Sequence, residues 1–399
     1  VWLYPSRDLL FYTADIHGNL LTKQRIQVLK HLIEDDGGVV VTTLDGLMDH
    51  LLPLSAIKEQ ILTVREGESI NVEQWKRHLV TLGYERMAQV DGMGQFSIRG
   101  GIIDVFPLTE ELPFRIELWD DEVDSIRTFD LESQRSVEQV DHAVLYPASE
   151  QVLKRQQVEN GIERVREAGL KQVKILREQM KTEEAHRISS IIKEFVQGLE
   201  DGYNSSGLDS YLTYFCDETV SFQQYFKENE TAIFLDEPAR LREKGETVET
   251  EFRESMVSRL EKGYLLPEQT ALLYTVKETL IRLQTPRTVM VTGLEQRLPG
   301  MTVEKRCSIQ AKNINSYQNG FELLIKDLKK WKKENYRVVL LSGSHTRASR
   351  LAGDLREYEL SAFCPDGEEG RVGPGEILVT YGNLHRGFEY PQIKFVVIT

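Results

Sequence analysis

Cysteine is scarce in this sequence of 399 residues: only Cys216, Cys307 and Cys364 are present, and they lie far apart. An odd number of widely spaced thiols excludes a disulfide framework and a cysteine-based zinc cluster, and it is typical of a reducing cytosol. The eight histidines form no HExxH motif and no other metal-ligand spacing. No run approaches the roughly 18 apolar residues of a membrane span. We therefore expect a cytoplasmic protein with no metal site and no membrane partner.

A phosphate-binding loop of the form GxxxxGK[ST] is also missing. Such a loop supplies the backbone N–H groups and the lysine that neutralise nucleotide phosphates. The stretch 234–238, Phe-Leu-Asp-Glu-Pro, is similar to the end of a Walker B strand, where a carboxylate would hold Mg²⁺. Asp236 and Glu237 before Pro238 are equally typical of an ordinary helix start. Because the phosphate loop is missing, we expect no catalytic residue and no cofactor in this chain.

Acidic residues outnumber basic ones by 63 to 49, which gives a net charge of −14. This balance disfavours nucleic-acid binding over the whole surface, although it leaves room for a local basic site. With 40% hydrophobic and 28% charged residues, the sequence is typical of a folded soluble protein, and its length suits two to four domains. Because the chain starts at Val1 and stops in the apolar run 395–399, we expect a fragment of a longer protein.

Two further stretches carry reactive residue types without a complete motif. Residues 342–347, Ser-Gly-Ser-His-Thr-Arg, form a predicted strand-to-helix turn that suits either a bound anion or a simple helix cap. Ser342 and His345 lack the GxSxG frame of an acyl-transfer nucleophile. Residues 384–391 combine a basic pair with aromatic residues, which is typical of a nucleic-acid loop or of a solvated connection.

The pattern of residues 60–147 predicts an α+β domain with an antiparallel sheet. A helix capped by Asn71 is followed by short apolar runs with turn signals between them. The predicted strands are 86–90, 95–99, 102–106, 114–119, 123–129 and 143–146, with hairpin turns at 91–94 and 120–121. The flanking regions have an α/β pattern, with helices at 22–34, within 149–199 and at 269–284, and strands at 39–43, 232–235 and 288–291.

One predicted strand, 114–119, carries an unusual outward face. Strand alternation places Phe114, Ile116 and Leu118 on one side and the Arg115, Glu117 and Trp119 side chains on the other. Arg99 ends the strand before Gly100 and Gly101, where a bulge would aim its side chain sideways. Exposed arginine and tryptophan are the residue types of protein-interface hot spots, so this face is either a docking surface or an ordinary polar sheet face.

These residues resemble a module shared by the excision-repair protein UvrB and the bacterial transcription-repair coupling factors. The resemblance rests on residues 96–107 (FSIRGGIIDVFP), 114–117 (FRIE), 120–127 (DDEVDSIR), 129–136 (FDLESQRS) and 145–148 (LYPA). It is strong over 60–150 and extends along the rest of the chain by order and spacing.

The resemblance implies a multi-domain α/β architecture. Residues 1–56 and 148–306 would be two parts of a degenerate helicase-like (RecA-type) nucleotide domain that has lost its phosphate loop. Residues 57–147 would be an inserted α+β UvrB-like domain that binds UvrA, and 307–399 a small α/β domain. ATP with Mg²⁺, RNA polymerase and double-stranded DNA would engage other domains of the full-length parent.

The resemblance also implies a role and a site. The chain would recruit UvrA to RNA polymerase stalled at DNA lesions in nucleotide excision repair, as a binding platform with no ATPase of its own. The family's UvrA-binding residues correspond to Arg99, Arg115 and Trp119. The supporting residues of this interface would be Gly100, Asp104, Phe106 and Glu117. Two alternatives stay open: a nucleotide-dependent helicase or translocase domain that uses Asp236 and Glu237, and a UvrB-like clamp on damaged DNA.

Overall fold

The structure is a computed structural model that describes residues 1–7, 19–200, 207–294, 299–314, 317, 320–365 and 370–399. The chain is mixed α/β and divides into two units, Val1–Met301 and Thr302–Thr399. No helix in the described ranges is long and apolar enough to cross a membrane.

Helices and strands of the first unit follow one another along the chain in an irregular order. Its helices are α1 (Asn19–Glu34), α2 (Leu54–Lys58), α3 (Val72–Thr81), α4 (Arg155–Glu178), α5 (Thr182–Glu200), α6 (Leu212–Phe215), α7 (Pro238–Glu261) and α8 (Val276–Arg282). Its strands are β1 (Trp2–Tyr4), β2 (Val40–Thr42), β3 (Leu62–Arg65), β4 (Glu85–Arg86), β5 (Gln95–Arg99), β6 (Ile102–Val105), β7 (Phe114–Trp119), β8 (Glu122–Phe129), β9 (Ser136–Val140), β10 (His142–Leu145), β11 (Ile233–Asp236) and β12 (Thr288–Val291).

A six-stranded sheet, in the order β4-β5-β6-β7-β8-β9, dominates the middle of this unit. From β5 to β9 every neighbouring pair is antiparallel. One face is apolar and fully buried through Phe96, Ile103, Ile116 and Ile126, because alternate residues of each strand point the same way. This apolar face belongs to the same core as residues of α3, α4 and α5. The opposite face of β5–β8 carries the charged residues.

Several boundaries predicted from the sequence are wrong, and each has a local reason. Of the predicted strand 86–90 only Arg86 is in a strand, β4, which also includes Glu85. Strand β4 pairs with β5 in parallel, so residues 91–94 are not a hairpin turn. The predicted helix 269–284 begins at Val276, because Thr275 caps it by accepting a hydrogen bond from the Glu278 N–H. Strand β9 is missing from the prediction because its residues are polar and mostly exposed at the sheet edge.

Two short parallel strand pairs from distant parts of the chain share one hydrophobic core. Strand β1 pairs with β2, and β11 pairs with β12. Tyr4 from the first pair and Leu235 from the second pack in one cluster with Met48, Phe222 and Leu280. Residues before the six-stranded sheet and residues after it are therefore joined by apolar packing.

A buried ion cluster also joins distant segments. The Arg25 guanidinium, 1% exposed, donates from Nε to Glu150 Oε2 (2.8 Å) and from Nη2 to Asp49 Oδ2 (3.0 Å) and the Tyr4 hydroxyl. Arg7 adds a second cation to Glu150. Burial alone would raise the pKa of the Glu150 carboxyl, but Arg25 and Arg7 lower that pKa to about 2. For Asp49, burial is the larger effect and raises the carboxyl pKa.

The second unit is built on one sheet with the order β13-β17-β18-β14-β16-β15. Its elements are β13 (Lys312–Asn313), α9 (Phe321–Lys333), β14 (Arg337–Ser342), α10 (His345–Glu357), β15 (Ala362–Phe363), β16 (Ile377–Tyr381), β17 (Phe388–Tyr390) and β18 (Phe395–Ile398). Strands β14, β15, β16 and β18 run parallel. Leu328 and Trp331 of α9 and Leu355 of α10 pack on Val338 and Val396 of the sheet. Both helices therefore contribute to the same core.

His50 is expected to make the first unit sensitive to mild acid. Burial and the nearby Arg282 guanidinium lower the pKa of the His50 imidazole from 6.5 to about 4, and the ring stacks on Tyr274 at 3.8 Å. Between these pH values the unfolded chain binds more protons at this imidazole than the folded chain does. The contribution of neutral His50 to the free energy of unfolding is therefore full above pH 6.5 and declines toward pH 4. In urea unfolding, the free energy of unfolding should change less between pH 7 and pH 5 for His50→Asn than for the wild type. Equal differences would contradict this assignment.

Candidate protein-interaction surface

A buried carboxylate lies at the centre of the charged sheet face. Asp104 is on β6 and is fully buried. Its register partners are Ser97 on β5 and Arg115 on β7, so the carboxylate lies between two strands that both carry an arginine. Arg115 donates from Nε to Asp104 Oδ1 (2.7 Å) and from Nη2 to Oδ2 (2.9 Å), and Arg99 donates from Nη2 to Oδ2 (2.7 Å). One carboxylate thus fixes both guanidinium groups.

The Arg115 side chain is fixed by contacts with Phe129 and Gln134 as well as with Asp104. Its guanidinium carbon lies 4.3 Å from the Phe129 ring centroid, and Nη2 donates to Gln134 Oε1 at 3.1 Å. The hydrogen bonds to Asp104 raise the pKa of Arg115 further above its ordinary value. A planar guanidinium in a bidentate pair has little rotamer freedom left to lose when a partner binds. Arg115 is therefore preorganised and only 15% exposed at its side chain.

Arg99 and Trp119 are the accessible members of this face. The Arg99 side chain is 44% exposed, and Trp119 is 81% exposed. The two lie at the same end of the sheet, because the turn after Arg99 hydrogen-bonds to β7, from the Leu118 N–H to the Gly101 carbonyl (2.7 Å). An aromatic ring so open to water, at the same end of the sheet as an exposed arginine, has the composition of an interface anchor.

The turn after Arg99 differs from the sequence prediction. Gly100 and Gly101 form a two-residue hairpin turn, with Arg99 paired to Ile102, so the predicted bulge is wrong at this place. Gly100 has φ +60°, which an L side chain adopts at a cost, and a Cβ on Gly101 would lie 2.8 Å from the Leu118 carbonyl. Glycine at both positions lets the turn close tightly against β7.

A bulge of this sheet lies elsewhere, on β8, and a second register shift follows between Thr128 and Phe129. The register shifts between Glu117 and Leu118, which pair with Ser125 and Val123, so Asp124 is the extra residue. Because the extra residue is on β8, alternation along β7 continues unbroken. Arg115, Glu117 and Trp119 consequently share one face, as the alternation predicts.

The sequence prediction missed the second ion pair of this face. Arg127 on β8 donates from Nη2 to Glu117 Oε2 (2.5 Å) and to Ser125 Oγ (3.2 Å). Arg127 is the register partner of Arg115 on the neighbouring strand, so its side chain lies on the same face of the sheet. Pairing the two strands in register would therefore have predicted this ion pair. Phe106, expected to support the interface, is only 4% exposed and can support the surface only through the core. We call Arg99, Asp104, Arg115, Glu117 and Trp119 together the Asp104 surface.

The other candidate stretches have ordinary structural partners. Glu237, with φ +48°, accepts a hydrogen bond at Oε1 from the Gly293 N–H (2.7 Å), and α7 begins at Pro238. The described residues contain no group of three or more histidine, cysteine, aspartate or glutamate side chains placed to hold a metal ion. Ser344 caps α10 by accepting from the Arg347 N–H (3.3 Å). Phe388–Tyr390 is an antiparallel strand beside β18.

Residues 62–150, which contain the Asp104 surface, match the family model of the UvrB interaction domain. The chain therefore carries a domain of this class.

Along its full length the chain is similar to bacterial proteins named transcription-repair-coupling factor. It is 30% identical over 399 residues to the protein of Bacillus subtilis (strain 168), 28% over 409 residues to that of Staphylococcus aureus (strain USA300), and 26% over 399 residues to that of Staphylococcus epidermidis (strain ATCC 12228). These matches cover 100% of this chain and 33% of each relative, so the chain spans about a third of their length. The resemblance stated from the sequence is confirmed.

Proposed function

We propose that this chain serves as the N-terminal part of a transcription-repair coupling factor and recruits UvrA through the Asp104 surface during nucleotide excision repair. The observation that carries the proposal is one buried carboxylate that fixes two arginines, on the same sheet face as a tryptophan with 81% of its surface exposed, inside a UvrB interaction domain. UvrA is the partner that the family resemblance implies.

The geometry suits non-covalent docking. Arg99 keeps free N–H donors after its bond to Asp104, since a guanidinium has five, and these suit acidic groups on a partner. Trp119 supplies apolar area that loses water only when a partner covers it. Because both arginines are already fixed, less side-chain entropy is lost on binding.

The remaining domains take their roles from the same proposal. We assign residues 1–56 and 148–306 to one degenerate helicase-like domain, which the shared core of Tyr4 and Leu235 supports. Residues 57–147 are the inserted UvrA-binding domain, and 307–399 a separate small α/β domain. The chain acts as a platform without its own ATPase. Nucleotide with Mg²⁺ and RNA polymerase engage other parts of the longer protein, and double-stranded DNA is a partner of that longer protein as a whole.

Binding of purified UvrA to the chain tests the proposal. Trp119→Ala is expected to weaken binding about 30-fold, since truncating an interface anchor costs about 2 kcal/mol. Arg99→Ala combined with Arg115→Glu is expected to abolish detectable binding by calorimetry. Leu170→Ala on α4 is the matched control, because Leu170 is 73% exposed and lies outside the interaction domain.

Three outcomes would overturn parts of the proposal. If both Trp119→Ala and the arginine double variant bound UvrA with wild-type affinity, the Asp104 surface would be excluded as the docking site. Tight binding of Mg·ATP to the isolated chain would contradict the platform role and favour a nucleotide-driven domain. Preferential retention of damaged over undamaged duplex at physiological salt would favour a UvrB-like clamp.

A further inference from the structure

Helix α9 of the second unit presents a row of lysines to solvent. Leu324, Leu328 and Trp331 bury one side of this helix against the sheet. The opposite side carries four exposed ammonium groups, on Lys326, Lys329, Lys330 and Lys333. Three of them, at positions 326, 330 and 333, follow the i, i+4, i+7 spacing of one helix stripe. They extend about 10 Å along the axis at 1.5 Å per residue.

Among the residues that the structure describes, these four charges have no carboxylate partner. None of them lies within 4.0 Å of an acidic oxygen of the described residues. Asp327, which lies between them in the sequence, instead accepts a hydrogen bond from the Tyr317 hydroxyl at 2.6 Å. Like charges at i, i+4 destabilise a helix by a few tenths of a kcal/mol per pair. Favourable interaction with the helix C-terminus accounts for the charges nearest that end, but not for Lys326 at the sixth of thirteen positions.

Another helix of the same chain shows the usual arrangement. Helix α4 is also rich in cations, but three of its six pair with carboxylates: Arg155 with Glu159, Arg164 with Asp217 and Arg166 with Glu200. The two units of the chain also differ in their balance of charge. Residues 302–399 contain 15 lysines and arginines against 12 acids, whereas residues 1–301 contain 34 against 51. The basic row therefore stands on the one cationic unit of an acidic protein.

We propose that the exposed face of α9 is a docking site for the phosphate backbone of double-stranded DNA, separate from the Asp104 surface. Lysine is a point charge on a flexible stem, which suits phosphates of any base sequence and gives no base readout. A duplex carries about one phosphate charge per 1.7 Å of its axis, or about six over the length of the row, so several lysines engage at once. The site would hold the small α/β domain on DNA.

Fluorescence anisotropy of the full chain with a labelled undamaged duplex, at salt from 30 to 200 mM, tests this proposal. Replacing all four lysines by Gln preserves helix propensity. This variant is expected to bind at least tenfold more weakly at the lowest salt, and to lower the log–log salt slope by about 3 to 4, since each phosphate contact contributes about 0.9. Lys326→Gln with Lys330→Gln should lower the slope by about 2.

A matched pair of lysines on α4 controls for net charge. Lys171→Gln with Lys174→Gln changes the charge by the same amount as the α9 double variant at two exposed positions. The control is expected to keep the wild-type slope. The proposal fails if the wild type shows no salt-dependent binding, if the quadruple variant keeps the wild-type affinity, or if the α4 pair weakens binding as much as the α9 pair. Competition by poly-glutamate at equal charge as effective as unlabelled duplex would assign the face to an acidic protein instead.

Discussion

The Arg25→Met variant is expected to lose about 3–5 kcal/mol of the free energy of unfolding, because it leaves two buried carboxylates with one cation. Arg25 is 1% exposed and bonds Glu150, Asp49 and the Tyr4 hydroxyl at once. Methionine keeps the apolar stem but satisfies none of these groups. The cluster links residues near the start of the chain to residue 150, at the end of the interaction domain, so the loss should reach both segments. Urea unfolding at pH 7 measures it.

An exposed ion pair provides the comparison. Arg155 pairs with Glu159 on α4 while its side chain is 87% exposed, so Arg155→Met should change the free energy of unfolding by less than about 0.5 kcal/mol. Similar losses in both variants would show that the buried cluster adds nothing beyond an ordinary surface pair. A normal stability for Arg25→Met would contradict the burial argument outright.

The sequence predicts local features of this protein well and distant partnerships poorly. Strand β7, at 114–119, and its two faces follow from alternation, because apolar Phe114 and Ile116 alternate with charged residues. Asp104 was predicted only as a supporting residue of the interface. Its role as the anchor of both arginines depends on the strand register, which turns Gly100 and Gly101 into a hairpin.

The buried cluster was outside the reach of sequence reasoning altogether. Arg25 and Glu150 are 125 positions apart, and no periodicity links them. Because charged residues are mostly exposed in folded proteins, the sequence predicts both Arg25 and Glu150 to be surface residues. Strand β9 was missed for a related reason, since a polar edge strand has no apolar face to reveal it.

The second large effect is expected at Asp104, where stability and partner binding are coupled. Asp104→Ala removes the acceptor of three hydrogen bonds and leaves the partly buried Arg115 uncompensated. We expect a loss of about 3 kcal/mol in the free energy of unfolding. Arg99 and Arg115 remain in the chain but lose their fixed geometry. On the proposed docking role, affinity for UvrA should therefore fall about tenfold or more, although Asp104 itself is fully buried.

Two substitutions separate these effects. Asp104→Asn keeps the volume and one carbonyl acceptor, so it should fold more stably than Asp104→Ala while still weakening UvrA binding, because it lacks the charge that holds two guanidinium groups. Asp124→Asn removes the same charge from the exposed bulge residue of β8 and should leave both properties nearly unchanged. If Asp104→Asn bound UvrA as the wild type does, the arginines would not depend on Asp104 for their placement. If Asp124→Asn weakened binding equally, the effect would come from net charge. A selective loss in the Asp104 variants would instead tie UvrA affinity to the buried carboxylate that fixes Arg99 and Arg115.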